Sequence, residues 1–109
     1  MHLDVVLAGA TGTIGQAVAR ELVARGYSVF CPVRPGSAPV QVGLDVSSCR
    51  LTEPGSLARA LKGRQVDAVI SCIASRGGAP RDAWAVEYYA QLNLLTEAAE
   101  AGARHFILL

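Results

Sequence analysis

Three glycines, Gly9, Gly12 and Gly15, stand three residues apart in the stretch Gly9-Ala10-Thr11-Gly12-Thr13-Ile14-Gly15. The free N–H groups and the dipole of a helix N-terminus attract anions, and a pyrophosphate reaches them only where no Cβ intervenes. On that reading Gly9 leaves a strand, Gly12 lets the backbone approach the phosphates, and Gly15 allows tight helix–strand packing. Thr11 and Thr13 can add hydroxyl donors, and Ile14 opens the helix. Glycines alone mark no more than a tight turn. Here they follow an apolar run and precede a helical one, the context of a dinucleotide site in a βαβ unit. No Lys-Ser/Thr follows Gly15, so the phosphate loop of nucleoside triphosphatases is excluded.

In such a unit the end of the second strand selects the cofactor. An acid there holds a ribose 2′-hydroxyl, whereas an arginine accommodates a 2′-phosphate. The chain has Val33-Arg34-Pro35 with no acid nearby, so Arg34 points to NADPH. At the end of the fourth strand, Cys72, Ala74 and Ser75 are expected beneath the cofactor ribose. They are small enough to leave room, and could equally be helix-packing positions. What Arg76-Gly77-Gly78 touches is open. Trp84 and Tyr88, four apart, read as core packing.

Along the chain, strands alternate with helices. Leu3–Ala8, Ser28–Val33, Val66–Ala74 and His105–Leu109 are apolar runs of strand length. Between them Ile14–Arg25, Glu53–Gly63 and Asp82–Ala101 carry apolar residues at helical spacing, with Gly26, Gly63 and Gly102 as terminators. Val40–Val46 could be a further strand, although Gly43 interrupts it. Such an order needs right-handed crossovers. The fold class expected is α/β: a doubly wound parallel sheet of the Rossmann type, about five strands in the order 3-2-1-4-5. Pro32 falls mid-strand, so one neighbouring strand must be missing or irregular there.

With 109 residues, 51% apolar and 17% charged, the chain can bury a core. A net charge of +1 offers no electrostatic footprint for nucleic acid or an anionic membrane. No run approaches the ~20 apolar residues of a membrane span. Asp4 stands where a signal peptide would be basic, and a cytoplasmic location is expected. Cys31, Cys49 and Cys72 have neither disulfide nor metal-ligand spacing. The chain stops inside an apolar strand, which would leave a hydrophobic edge. The expectation is that residues 1–109 are one NAD(P)-binding domain, the N-terminal part of a longer protein. A partner strand could also cover that edge, giving a homodimer through the fifth strand.

The loop at 9–15 resembles the Gly-x-x-Gly-x-x-Gly signature of extended and atypical short-chain dehydrogenases/reductases. The run Ser71-Cys72-Ile73-Ala74-Ser75-Arg76-Gly77-Gly78, followed by Asp82-Ala83-Trp84 and Tyr88, is more specific. With Ala90-Gln91-Leu92-Asn93 and Ala103–Leu109, it resembles the divinyl (proto)chlorophyllide 8-vinyl reductases. The resemblance implies an NADPH-dependent reductase that converts the 8-vinyl group of a small-molecule chlorophyll-precursor tetrapyrrole to ethyl. It also implies a protein about three times this length, whose proton donor and substrate lobe lie beyond residue 109, so that this segment alone is inactive. In the superfamily an acid after the third strand can reach the adenine amine. Aligned through Thr52-Glu53-Pro54 that position is Arg50; in the other register it is Asp45, with Val46 following. The acid at Glu87 matches the vinyl reductases, where many other relatives carry asparagine. Two other functions share the loop: a non-catalytic NADP-sensing regulator, and a sugar-nucleotide epimerase or dehydratase, which would favour an acid near 34.

Overall fold

The computed structural model describes residues 3–37, 43–73 and 80–109, with residues 80–86 as backbone only. In chain order the elements are β1 (Asp4–Ala8), α1 (Thr13–Ala24), β2 (Ser28–Val33), β3 (Leu44–Ser48), α2 (Ser56–Leu61), β4 (Ala68–Ser71), α3 (Pro80–Glu100) and β5 (His105–Leu108). The strands form one sheet in the order β3-β2-β1-β4-β5, with every neighbouring pair parallel. This is the doubly wound sheet expected from the alternation of strands and helices.

β1 lies at the centre, and Val5, Val6, Leu7 and Ala8 are all buried. Covered on both faces, a central parallel strand reads as a continuous apolar run rather than an alternating one. Its side chains nevertheless go to opposite sides. Val6 and Ala8 join Phe30, Leu57, Leu61, Val69 and Leu94 in the core that includes α2 and α3. Leu7 joins Ala19, Val29, Cys31 and Val33 in the core that includes α1. Fully burying a leucine such as Leu7, Leu57 or Leu94 contributes about 1.5–3 kcal/mol.

Helices α1 and α3 end alike. Gly26 N–H donates to the Val23 carbonyl at 3.0 Å and Tyr27 N–H to Leu22 at 3.1 Å. Gly102 N–H donates to Ala99 and Ala103 N–H to Ala98, both at 3.0 Å. The pair of bonds satisfies carbonyls left over in the last turn, with glycine at the reversal point. At the other end α3 begins at Pro80, two residues before the expected Asp82, because proline suits the first helical turn. The third strand, by contrast, runs over Leu44–Ser48 rather than Val40–Val46. Gly43, at φ +94°, precedes the strand instead of interrupting it.

Pro32 meets the requirement set by its missing N–H. Pairing of β2 with β1 ends at Val6 and Phe30, while pairing with β3 continues through Pro32 and Ser47 to Val33 and Ser48. Ser28 N–H donates to Leu3 at the start of β1, and the Val33 carbonyl accepts from Cys49 beyond β3. Backbone groups alternate between the two neighbours along an interior strand. The donor that Pro32 lacks therefore faces β1, where pairing has already stopped.

Tyr88 does not fill the core as expected: it is 48% exposed, and its ring stands edge-on to Tyr89 at 5.3 Å. The Trp84 side chain lies outside the described residues. β5 is exposed along its whole length, with Phe106, Ile107 and Leu108 open. Among the described residues no helix is long and apolar enough to cross a membrane.

Candidate functional site

All the strands run the same way, so their C-terminal ends share one edge of the sheet. β1 and β4 are neighbours there although the chain leaves them in opposite directions, towards α1 and towards α3. In open α/β sheets the crevice at such a switch point is where ligands bind.

The glycine loop fills this point, and its glycines meet different demands. Gly9 has φ +81°, and a Cβ built on it would lie 2.6 Å from the carbonyl carbon and oxygen of Cys72 at the end of β4. The loop thus lies directly on β4, tied by the Cys72 N–H to the Ala8 carbonyl at 2.8 Å. At Gly15 a Cβ would stand 1.9 Å from the Gly9 carbonyl oxygen, so the first turn of α1 rests against the loop backbone. Gly12 differs. Its φ is −79°, open to any residue, and among the described residues its Cβ would meet only the Gly9 oxygen at 3.7 Å. Packing inside the chain therefore does not call for glycine at 12, and the space in front of it is what a bound phosphate would need.

Gly12 is also the N-cap of α1, and among the described residues no side chain caps this helix. The first N–H groups of a helix have no intrahelical acceptor. Here they lie at the sheet edge with the positive end of the helix dipole. The loop is braced from within, since the Gln16 side-chain amide donates to the Thr11 carbonyl at 2.9 Å. Thr11, Thr13 and Ile14 are exposed, Ile14 at 62%. Together these features fit a dinucleotide pyrophosphate: a cradle with room for oxygen atoms and unspent backbone donors.

Arg34 is the first residue beyond β2, at the same edge and exposed, with its carbonyl held in a turn by the Ser37 N–H at 2.9 Å. Cys72 and Ile73 continue from β4 beside Gly9 and are half-buried. Ala74, Ser75 and the loop at Arg76-Gly77-Gly78 lie outside the described residues. Asp45 is not brought to this group. It pairs with Phe30 low on β3, three residues short of the strand's last residue, and its carboxylate binds Arg64 at 2.7 Å. That ion pair and that height along the strand set it apart from the loop. Arg50 instead stands just past the end of β3, exposed.

Helix α3 supplies supports that the sequence did not reveal. Glu97, only 7% exposed, accepts the Gly55 and Ala58 N–H groups, both at 2.9 Å, and so caps α2 from another helix. Asn93, one turn earlier, donates to the Leu51 carbonyl at 2.7 Å. Ser71, fully buried at the end of β4, donates to Gln91 at 2.7 Å. Burial pushes the thiol of Cys72 upward, and that of Cys31 up to about 12, so neither is poised as a thiolate nucleophile.

A sheet of this order with a glycine loop at its switch point defines a class of nucleotide-binding proteins. A model of the NAD dependent epimerase/dehydratase family matches residues 5–109, and the chain belongs to that family. Among curated relatives, the chloroplastic divinyl chlorophyllide a 8-vinyl-reductase of Oryza sativa subsp. indica is 40% identical over 117 residues. That match covers 96% of this chain and 29% of the rice protein. The Arabidopsis thaliana protein of the same name is 33% identical over 98% of this chain and 29% of its own length. The chain thus spans less than a third of the length of these relatives. Among solved structures, UDP-glucose 4-epimerase from Thermotoga maritima superposes with a TM-score of 0.83 at 18% identity, over 97% of this chain and 37% of the epimerase. Bordetella bronchiseptica WbmG, crystallised with NAD, also gives 0.83 at 18% identity, covering 99% of this chain and 37% of WbmG. These two share the fold. The expectation of a cytoplasmic protein is overturned, because the four vinyl-reductase relatives carry names that place them in the chloroplast.

Proposed function

We propose that residues 1–109 are the NADPH-binding portion of a longer reductase, one that reduces the 8-vinyl group of a divinyl chlorophyllide-type tetrapyrrole to ethyl. The observation that carries the cofactor half of this reading is the open space at Gly12, in a loop whose other two glycines are required by packing. Gly9, Thr11, Gly12, Thr13, Ile14 and Gly15 would hold the pyrophosphate, Arg34 the 2′-phosphate, and Cys72, Ala74 and Ser75 the nicotinamide-side ribose. The bound cofactor supplies hydride. The chain's contribution is to anchor and orient the dinucleotide along the sheet edge.

The substrate half rests on the 40% and 33% identity to proteins named as vinyl reductases. Arg34 weighs against the sugar-nucleotide epimerase reading, which favours an acid at that position. The segment alone should bind cofactor without turning it over. We propose further that, as an isolated chain, it pairs with a second copy through β5.

The test of the cofactor reading is a pair of affinities, NADPH and NADH, for the wild type and Arg34→Ala. The wild type should prefer NADPH, and the variant should lose that preference; an unchanged preference removes Arg34 from the site. For the substrate half, the full-length protein is incubated with NADPH and divinyl chlorophyllide. Appearance of the monovinyl product supports the reading. Its absence, with cofactor binding intact, leaves the dinucleotide site and refutes the substrate.

A further inference from the structure

Two exposed arginines flank one hydrogen bond at the cofactor edge. The last contact between the β2 and β3 segments is the Cys49 N–H donating to the Val33 carbonyl at 2.8 Å. Arg34 is the residue immediately after Val33, and Arg50 the residue immediately after Cys49. Neighbouring strands lie about 4.8 Å apart, and with Val33 paired to Ser48 the backbones at Arg34 and Arg50 lie one register step apart, just beyond the ends of β2 and β3. Neither guanidinium pairs with a carboxylate among the described residues. The acids of this region are engaged elsewhere, Glu53 with Arg59 at 4.0 Å and Asp45 with Arg64 at 2.7 Å.

The backbone around Arg50 is fixed on every side. Its N–H donates to the Ser56 hydroxyl at 3.0 Å, and its carbonyl accepts from the Glu53 N–H at 2.9 Å. The next carbonyl, of Leu51, is held by Asn93 at 2.7 Å. Ser56 also contacts the Cys49 thiol at 3.3 Å. A loop braced in this way, carrying a cation that meets no carboxylate among the described residues, needs no ordering of its backbone to bind an anion. Guanidinium forks match the oxygens of a phosphate, and two of them can share its dianionic charge.

We infer that Arg50 is a second specificity determinant, forming with Arg34 a two-arginine clamp on the 2′-phosphate of NADPH. Arg50 would then do the opposite of an acid at the end of β3, adding attraction for the 2′-phosphate instead of binding the adenine amine. The inference rests on the cofactor reading above and goes beyond it, because that reading needs Arg34 alone.

The probes are adenosine 2′,5′-bisphosphate and 5′-AMP, which differ by the 2′-phosphate, titrated against the 109-residue chain by calorimetry. The proteins are wild type, Arg34→Ala, Arg50→Ala and Arg50→Lys, each checked for an unchanged thermal melt. Removing either arginine should weaken the bisphosphate by about tenfold or more and leave 5′-AMP unchanged. Arg50→Lys should recover part of the loss. If Arg34→Ala loses affinity and Arg50→Ala does not, the clamp is overturned while the NADPH reading stands. If neither variant distinguishes the probes, or the wild type binds no bisphosphate, both fall. Equal weakening of the two probes by Arg50→Ala would place Arg50 elsewhere on the nucleotide and overturn the clamp.

Discussion

Adding one methyl group to each loop glycine separates the constraints on them. Gly12→Ala meets nothing closer than 3.7 Å and needs no unusual φ, so it should melt like the wild type. Its affinity for NADPH should fall by about tenfold or more, measured by calorimetry, because the methyl group occupies phosphate space. Retained affinity would contradict the loop's assignment. Gly15→Ala, whose methyl would stand 1.9 Å from a carbonyl oxygen, should instead lose about 1–3 kcal/mol of stability in a denaturant titration without ligand. The glycine spacing was legible in the sequence, and so was the division of labour between Gly12 and Gly15. That Gly9 is held by the close approach of β4 was not, because Cys72 lies some sixty residues away.

The thiols give a pH prediction at the same scale. Burial holds Cys31 protonated up to about 12, against 9.0 for a free thiol. Between those values the unfolded chain loses a proton that the folded chain keeps, so ν_U is below ν_N and stability falls as pH rises. Cys49 and Cys72 are displaced in the same direction, again chiefly by burial. Chemical denaturation from pH 8 to 10.5 should show a declining stability, with a shallower decline in Cys31→Val.

Among the elements, α2 depends most on a distant residue. It has six residues, too short to be stable by itself, and no local side chain caps it. Its cap comes from Glu97, 42 residues from Gly55. Glu97→Ala should cost about 1–2 kcal/mol, leaving two N–H groups without their acceptor and lowering Tm by several degrees. A Tm within a degree of the wild type would refute the capping role. In the sequence Glu97 looks like one charge on a solvated helix face, and nothing local shows that it is buried. β3 was obscure for a related reason. Leu44–Ser48 is a half-polar edge strand with no apolar run, held by its register with β2 rather than by its own pattern. The apolar strands and the helix terminators, by contrast, carry their signals within a few residues of themselves.

At the scale of the molecule, the strand order followed from alternation and the handedness of crossovers, which need only the sequence of elements. The exposed edge also followed, since β5 is apolar and, among the described residues, pairs with β4 alone. Phe106, Ile107, Leu108 and Leu109 are 42% to 61% exposed. Sedimentation of the isolated chain should therefore reveal concentration-dependent association, reduced by Ile107→Lys; a monomer at all concentrations would refute pairing through β5.

The early end of β1–β2 pairing has a kinetic corollary. Pro32 has no hydrogen to give β1, and pairing of the two strands ends at Val6 and Phe30. If that ending, set by a covalent ring, keeps the site open without ligand, binding is a single step. Stopped-flow binding rates should then rise linearly with NADPH concentration and show no plateau. A plateau would mean that something other than Pro32 governs entry.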